Sequence, residues 1–216
     1  IGEPTSCQAG VAQKGCIWLK LSVSGKTSHG AEPWQGINAL EQGFGLLADL
    51  REELMREEHP VLGRSTLQVT MAEGGIAPNM TPDRAQFLAD IRIVPPLNEK
   101  EVLNRLECLI EKRCEVYNGG LSFTPEISNY RMPVETGQKN QWLHRLKGFI
   151  GDNAGETGIN YFTDASIFLT AWPDSPALLF GPGEPQMCHK PNEYVEISKY
   201  FEAIRVMEKF CWYIAK

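Results

Sequence analysis

The chain has 216 residues, of which 42% are hydrophobic and 22% are charged, and its formal net charge is −6. This composition is typical of a soluble globular protein with one large domain or two smaller ones. The sequence contains no lysine- and arginine-rich cluster, so a nucleic-acid partner is not expected. Its apolar stretches are far shorter than the roughly 20 residues that span a bilayer, so a membrane partner is not expected either.

The sequence between residues 15 and 127 predicts four strands and two helices. Alternating apolar residues indicate strands at 15–23, 66–71, 84–94 and 121–125. The first helix is predicted at 36–57, and the second begins after Asn98, a residue suited to cap it. We expect the apolar stripe of the first helix to be core; its members are Ile37, Leu40, Phe44, Leu47, Leu50 and Leu54. The order strand, helix, strand, strand, helix, strand is the βαββαβ, or ferredoxin-like, arrangement.

The remaining sequence predicts part of a second, α/β domain. Helices are expected at 138–150 and 198–214, a short element at 158–162, and a further helix that begins at 163–165. The apolar segment 176–180 predicts a strand buried in an α/β sheet. Residues 1–14 are assigned to the same domain, so the predicted domains are 1–14 with 128–216, and an inserted unit at 15–127.

Six cysteines are scattered through the chain without the short spacing of a zinc-binding or redox motif. An even number permits disulfides, but nothing else marks a secreted framework, so reduced thiols in the cytoplasm are expected. Cys188, next to His189, could bind a metal, although a structural role in packing is favoured.

Six short segments carry the residues that suggest a function. They are 1–6 with Glu3, 25–40 with His29, 74–82 with Asn79, 90–95 with Arg92, 163–165 with Asp164, and 181–193 with His189. In this order they resemble the two-zinc exopeptidases and deacylases, the family of acetylornithine deacetylase, succinyl-diaminopimelate desuccinylase and the carboxypeptidase G enzymes. The similarity is closest to the first two of these, and the chain resembles the part that follows an N-terminal catalytic segment.

The resemblance implies a ferredoxin-like lid, inserted in an α/β zinc-hydrolase domain and forming the contact of a homodimer. It also implies that Glu3 binds one zinc ion and His189 the other, with two ions in a complete site and cobalt or manganese as possible substitutes. The expected reaction is attack of metal-activated water on the amide of an N-acyl amino acid or peptide. Glu193 would orient the imidazole of His189, or else be an ordinary surface carboxylate.

The resemblance assigns four further residues to catalysis or substrate binding. His29 would reach the partner subunit's active site and stabilise the oxyanion, a contribution of roughly 3 kcal/mol. Asn79, Arg92 and Asp164 would bind the substrate, and the guanidinium of Arg92 would bind the substrate's α-carboxylate. Each has a simpler alternative: a turn histidine, a turn-forming asparagine, an ion pair of Arg92 with Asp90, and a helix cap at Asp164.

The family's histidine-x-aspartate motif, its bridging aspartate and its glutamate pair have no counterpart in this sequence. His59 and His144 do not lie in such motifs. The chain by itself is therefore expected to be inactive, although it resembles a metal-dependent amidohydrolase. A dimerisation module without catalysis, and a dipeptidase or carboxypeptidase of the same family, are the alternatives.

Overall fold

The computed structural model describes residues 1–152 and 154–215. Its strands are β1 (Ala9–Gln13), β2 (Gly15–Ser24), β3 (Glu58–His59), β4 (Gly63–Arg64), β5 (Thr66–Gly74), β6 (Arg84–Ile93), β7 (Ser122–Arg131), β8 (Val134–Glu135) and β9 (Glu156–Ile159). Its helices are α1 (Ala39–Leu54), α2 (Glu99–Glu115), α3 (Gln141–Ile150), α4 (Ala165–Ala171) and α5 (Ile197–Ile214).

The chain forms two compact units. The first contains Ile1–Lys14, His59–Gly63 and Pro133–Lys216, and the second contains Gly15–Glu58 and Arg64–Met132. The domain boundaries at residues 14 and 127 that the sequence suggests stay a prediction.

The second unit has the predicted ferredoxin-like arrangement. Its sheet has the order β5-β6-β2-β7, and every neighbouring pair is antiparallel. β2 and β6 bury alternate residues against α1 and α2, which produces a single core on one face of the sheet. The predicted fold class is confirmed. A strand buries every second residue and a helix repeats every 3.6 residues, so both leave a clear pattern of apolar residues in the sequence.

The N-termini of both helices in this unit are capped by asparagine. The side chain of Asn38 accepts hydrogen bonds from the main-chain nitrogens of Leu40 and Glu41. Asn98 and Glu101 form a reciprocal capping box at the start of α2, where the sequence predicts a cap. These contacts satisfy amide groups that no carbonyl within the helix can reach.

The predicted core stripe of α1 is wrong at Phe44. This side chain is 48% exposed, and it meets the ring of Phe87 edge-to-face with 5.0 Å between centroids. Gly43 faces the sheet instead, and a Cβ atom there would lie 2.1 Å from the Phe87 ring. The absence of a side chain at Gly43 lets Phe87 occupy the space that Phe44 was expected to fill.

The fourth strand is longer than predicted. β7 continues past Pro125 to Arg131, and its pairing with β2 includes a register shift between Trp18 and Leu19. Proline interrupts a central strand because it lacks an N–H group, but β7 is an edge strand, where a missing donor is tolerated.

The first unit is built around a three-stranded sheet of order β8-β1-β9, in which β1 is antiparallel to β8 and parallel to β9. All five residues of β1 are buried, but their small side chains and short run provide no alternation from which to predict a strand. The strand predicted at 176–180 is wrong. Leu179 forms an isolated antiparallel bridge with Gly10, and Phe180 forms a parallel one with Gly2. Residues 179 and 180 therefore pair with different segments, one antiparallel and one parallel, so no continuous ladder of strand hydrogen bonds forms.

His59 is buried in this unit. Its Nδ1 atom accepts hydrogen bonds from the main-chain nitrogens of Val61 and Leu62, at 3.3 and 3.2 Å. Its Nε2 atom lies 3.2 Å from a carboxylate oxygen of Glu135. The ring therefore has a structural role in closing the turn between β3 and β4.

Among the described residues, no helix combines the length and apolar character needed to cross a bilayer. All six cysteines are free thiols.

We predict that Gly43→Ala destabilises the protein although alanine is the better helix former. The added methyl group meets the buried Phe87 ring, and overpacking of this kind costs about 1–3 kcal/mol of unfolding free energy. The matched control is Gly45→Ala in the same helix, where a Cβ would meet only the end of the flexible Arg113 side chain. This variant is expected to be neutral or up to about 1 kcal/mol more stable. Urea unfolding followed by circular dichroism measures both, and equal effects would contradict the explanation.

Candidate functional site

Glu3 lies in an extended segment that pairs with residues 178–180 of the same unit. The main-chain nitrogen of Phe180 donates to the carbonyl of Ile1 at 3.0 Å, and that of Glu3 donates to the carbonyl of Phe180 at 3.4 Å. The Glu3 carboxylate is partly buried and lines a groove of about 560 Å³ together with Glu193. The hydroxyl of Tyr161 donates to Glu3 Oε2 at 3.3 Å.

Burial and nearby charges shift the pKa of the Glu3 carboxyl. Partial burial raises the pKa of the Glu3 carboxyl; the Tyr161 hydrogen bond opposes this, the charge of Asp164 adds to it, and the N-terminal amine opposes it. A carboxylate that is partly removed from water beside a second carboxylate gains most from a positive partner. Burial also raises the pKa of Tyr161, so its hydroxyl keeps its proton at neutral pH and can donate.

His189 lies in an exposed loop, and its own side chain is exposed. Its main-chain nitrogen donates to Glu193 Oε2 at 3.1 Å, so in this structure Glu193 holds the main chain of the loop rather than the imidazole. The preceding thiol, Cys188 Sγ, lies 3.9 Å from the Tyr161 hydroxyl. Tyr161 therefore contacts both Glu3 and the neighbour of His189.

Both segments contain backbone in the left-handed region. Among the described residues, five non-glycine residues have a positive φ. One of them is the candidate ligand His189, and three lie within four residues of a candidate ligand in the sequence: Ser6, Cys7 and Asn192. His189 itself has a φ of 60°. Such conformations cost of order 1 kcal/mol or more each and cluster at functional sites. Their presence supports a functional role for the segments that carry Glu3 and His189.

The helix-cap alternative for Asp164 is wrong. Asp164 precedes α4, but its side chain makes no capping hydrogen bond and is exposed. The hydroxyl of Thr163 accepts from the main-chain nitrogen of Ala165 at 3.1 Å, and it donates to the buried Gln13 at 2.5 Å. Thr163 thus caps the helix, and the Asp164 charge acts on the nearby Glu3.

The described residues fit a metal ion in part. Glu3 supplies a carboxylate oxygen and His189 an imidazole nitrogen, both normal donors to zinc. Within residues 1–152 and 154–215, however, no three or more His, Cys, Asp and Glu side chains are grouped so that they could hold an ion. A complete metal site needs ligands in addition to these.

In the second unit, the structure brings His29 and Asn79 together at one end of the sheet. The main-chain nitrogen of Gly30 donates to the Asn79 carbonyl at 2.8 Å, and His29 forms a bridge with Met80. The Nδ1 atom of His29 accepts from the main-chain nitrogen of Ala31 at 3.1 Å. Since Nδ1 is an acceptor, the neutral ring carries its proton on Nε2 and presents a donor. Both side chains are exposed.

Two large apolar side chains in these connections escaped the sequence reasoning. Trp34 is 75% exposed in the connection that carries His29, and Ile76 is 87% exposed in the one that carries Asn79. The signal was present, because apolar residues in turn-rich loops have no core to fill. Tyr161 was also missed, and no local pattern singles it out.

Arg92 lies at the other end of the sheet and forms an ion pair with Asp90. Its Nε and Nη2 atoms donate to the two oxygens of Asp90 at 2.6 and 2.9 Å, and Trp18 Nε1 donates to Oδ2 of the same carboxylate at 3.1 Å. The hydrogen bond to Asp90 raises the pKa of the Arg92 guanidinium.

The register of β2 against β6 separates Arg92 from His29 and Asn79. Ser24 pairs with Arg84 and Cys16 with Arg92. A strand rises about 3.4 Å per residue, so the eight residues from Arg84 to Arg92 extend over roughly 27 Å. The structure does not bring these sequence-predicted residues into one site within the unit.

A comparison with protein-family models identifies one match, the model of the peptidase dimerisation domain, over residues 11–118. These residues include β2, α1, β5, β6 and α2 of the ferredoxin-like unit.

Comparison with curated proteins and solved structures gives relatives over nearly the whole chain. The acetylornithine deacetylase of Shigella sonnei (strain Ss046) is 29% identical over 227 residues, which cover 99% of this chain and 57% of that protein. The aminopeptidase PepT of Bacillus cereus ATCC 10987 superposes with a TM-score of 0.74 at 18% identity, covering 98% of this chain and 55% of that one. An M20 family metallo-carboxypeptidase of Sulfolobus solfataricus, Sso-CP2, gives a TM-score of 0.64 at 17% identity, covering 94% and 59%. The chain therefore spans a little more than half the length of these relatives.

We predict weak zinc binding by this chain that depends on both Glu3 and His189. Complete four-ligand sites bind zinc with roughly 10–16 kcal/mol, so one ligand for each of two ions is expected to give about a quarter, a Kd of roughly 1–15 mM. Titration of the metal-stripped chain with zinc in equilibrium dialysis measures the Kd. Glu3→Gln and His189→Asn should each remove one of the two weakly bound ions, and the double variant should bind none. Asparagine tolerates the left-handed φ of residue 189, so that substitution should spare the fold.

The matched control for this titration is His144→Asn, because His144 is an exposed helical histidine outside the candidate site. Two tightly bound zinc ions that survive the substitutions of Glu3 and His189 would place the ligands elsewhere.

Proposed function

This chain belongs to the M20 peptidase dimerisation family, and from that premise we propose that it is the lid and the closing part of the α/β domain of a metal-dependent amidohydrolase. The proposed substrate is an N-acyl amino acid of the acetylornithine or succinyl-diaminopimelate type. The relatives with known names are hydrolytic enzymes, and the similarity to acetylornithine deacetylase extends over 99% of the chain.

The observation that carries the proposal is the contact of one hydroxyl with two segments. Tyr161 reaches Glu3 at 3.3 Å and Cys188, the neighbour of His189, at 3.9 Å. Glu3 and Cys188, 185 positions apart in sequence, thus contact one side chain in the first unit. The contact of Tyr161 with both Glu3 and the loop that carries His189 supports the proposal that the two residues belong to one two-metal centre.

In this mechanism Glu3 and His189 each hold a metal ion, zinc in our proposal, with cobalt and manganese able to replace it. When bound, the metals would lower the pKa of water and polarise the amide carbonyl. His29 would donate from Nε2 to the negative charge that develops on the carbonyl oxygen. Asn79 would bind polar groups of the substrate from the same end of the sheet.

The separation of Arg92 from His29 supports a homodimer. Arg92 lies eight residues, roughly 27 Å, along β6 from Arg84, and the connections that carry His29 and Asn79 lie at the Arg84 end of the sheet. A small N-acyl amino acid does not extend over that length. If Arg92 binds the substrate carboxylate in one protomer, His29 and Asn79 must act on a substrate held by the other. The exposed Trp34 and Ile76 near His29 suit a contact with a second surface.

We place the contact between the two copies along the β5 edge. β5 has nine residues and pairs with β6 on one side only. Met71 in this strand is 67% exposed, and Phe44 on the neighbouring α1 is 48% exposed. A long exposed edge with apolar side chains is suited to pair with another strand.

A second candidate function, dimerisation without catalysis, is supported by the lack of a group of three metal ligands among the described residues. A dimer that forms without metal agrees with both functions, whereas amide hydrolysis agrees only with the first. The six free thiols support a reducing compartment, which we propose is the cytoplasm.

Activity tests the main proposal. The chain is co-expressed with the part of the Shigella sonnei deacetylase that lies outside the matched span, loaded with zinc or cobalt, and assayed on N-acetylornithine, N-succinyl-diaminopimelate and N-acyl dipeptides. We expect hydrolysis of at least one substrate and a loss of roughly 100-fold in kcat for His29→Ala, because one oxyanion donor contributes about that much. His144→Ala is the control that should remain active. A folded, metal-loaded complex that hydrolyses none of them would refute the proposal.

Oligomeric state tests the β5 edge. We expect Met71→Asp to weaken the homodimer at least tenfold, because two buried carboxylates would face each other across a symmetric contact. Val116→Asp is the matched control, since Val116 is 74% exposed and follows α2 rather than β5. Sedimentation velocity at several concentrations measures the dissociation constant, and a wild-type chain that stays monomeric at micromolar concentration would contradict the dimer.

A further inference from the structure

The hydroxyl of Tyr161 lies between the two segments that carry the proposed metal ligands. Tyr161 follows β9 and precedes α4, and its ring packs against the core of the first unit. That core consists of Val134, Ile159, Ala165, Ala177 and Leu179. The ring is thus held by apolar contacts, and the hydroxyl is left to make polar ones.

The polar contacts of this hydroxyl have a direction. A phenolic hydroxyl has one proton to donate and can also accept. It donates to Glu3 Oε2 at 3.3 Å, and it can accept the one thiol proton of Cys188 at 3.9 Å when that proton is not donated to the Glu184 carbonyl, which also lies at 3.9 Å. The result is a chain of contacts from the thiol of Cys188 through Tyr161 to the carboxylate of Glu3.

The two segments differ in how firmly the main chain holds them. The Glu3 segment is paired with residues 178–180 by main-chain hydrogen bonds. The main-chain hydrogen bonds of the Cys188–His189 loop are local: Met187 donates to Glu184 at 2.9 Å, and Lys190 donates to Met187 at 3.2 Å. The Glu193 carboxylate accepts from the main-chain nitrogen of His189 within the same loop. The contact of Cys188 with Tyr161 is weak for a hydrogen bond, but it links the loop to a separate segment.

We propose that Tyr161 is a positioning residue for the metal centre. It fixes one carboxylate oxygen of Glu3 and tethers the loop that presents His189, so that both ligands are oriented before the metal binds. This role rests on the proposed function, because it assumes that Glu3 and His189 bind metal. Residues that orient a ligand typically change metal affinity by about 10–100-fold when they are removed.

The test is Tyr161→Phe in the full chain, which removes the hydroxyl and keeps the packed ring. The matched control is Tyr117→Phe in the other unit, where the hydroxyl accepts a hydrogen bond from Gln42 at 2.8 Å. Two readouts are needed. The first is zinc affinity by chelator competition, in the chain co-expressed with the deacetylase segment that supplies the other ligands. The second is hydrogen exchange of the metal-free chain, read by mass spectrometry on peptides that contain residues 1–6 and 184–193.

We expect Tyr161→Phe to weaken zinc binding roughly tenfold and to speed exchange in both peptides, while Tyr117→Phe changes neither. Cys188→Ala separates the two contacts, because it breaks the loop tether and leaves the bond to Glu3. Exchange should then increase in the 184–193 peptide alone. This second variant also tests the tether if Tyr161→Phe fails to fold.

The outcomes distinguish failure of the positioning role of Tyr161 from failure of the proposed function. Unchanged zinc affinity in Tyr161→Phe, with a normal Kd in the wild type, would overturn the positioning role and leave the proposed function intact. Faster exchange in Tyr161→Phe, with no zinc binding by the wild-type chain even when the co-expressed deacetylase segment supplies the other ligands, would overturn the proposed function, and the role of Tyr161 toward a metal with it.

Discussion

The register of β2 against β6 is the constraint on which the second unit depends. β2 is central, paired over its length with β6 on one side and β7 on the other, so a shift of one residue would turn its apolar side chains out of the core. The same register determines where the candidate residues lie. It places the connection that carries His29 beside the one that carries Asn79, and it places Arg92 at the opposite end of the sheet.

The separation of Arg92 from His29 and Asn79 along the sheet has a consequence for substrate binding that residue types alone do not reveal. When the residues are considered only by type, His29, Asn79 and Arg92 form one set of substrate contacts. On the sheet they form two sets, at a distance that one small substrate cannot bridge. The proposed homodimer would resolve the difference, since each active site could then receive one set from each protomer. The dimerisation family and the exposed β5 edge are both consistent with this arrangement.

In the first unit the organising constraint is the need to partner polar groups that are partly removed from water. Glu3 is brought beside Tyr161 and within the field of Asp164, and the pKa of its carboxyl rises because burial disfavours its charge. The neighbouring loops carry left-handed residues, including His189. Strained backbone and a desolvated carboxylate both lower stability, and both are common where a protein prepares a site for a ligand.

Local patterns in the sequence were sufficient for the ferredoxin-like order and for the asparagine cap of α2, whereas the candidate residues were chosen through the family resemblance. Periodicity and capping depend on residues within one turn or one strand, so a single sequence contains them. The errors have a common cause. Phe44 lost its core position to a ring from another strand, residues 176–180 pair with two distant partners, and Thr163 rather than Asp164 caps α4 because Gln13 orients it.

The sequence by itself determined the fold class, because the order and periodicity of strands and helices are local. It also suggested Glu3, His29 and His189 as candidates, through the resemblance of six ordered segments to a known family. Only the tertiary structure decided which of them meet. Tyr161 has no signal of its own in the sequence, yet its hydroxyl contacts one segment near the start of the chain and another near residue 188. Contacts between segments so distant in sequence depend on how the strands and helices pack, and no local pattern encodes that packing.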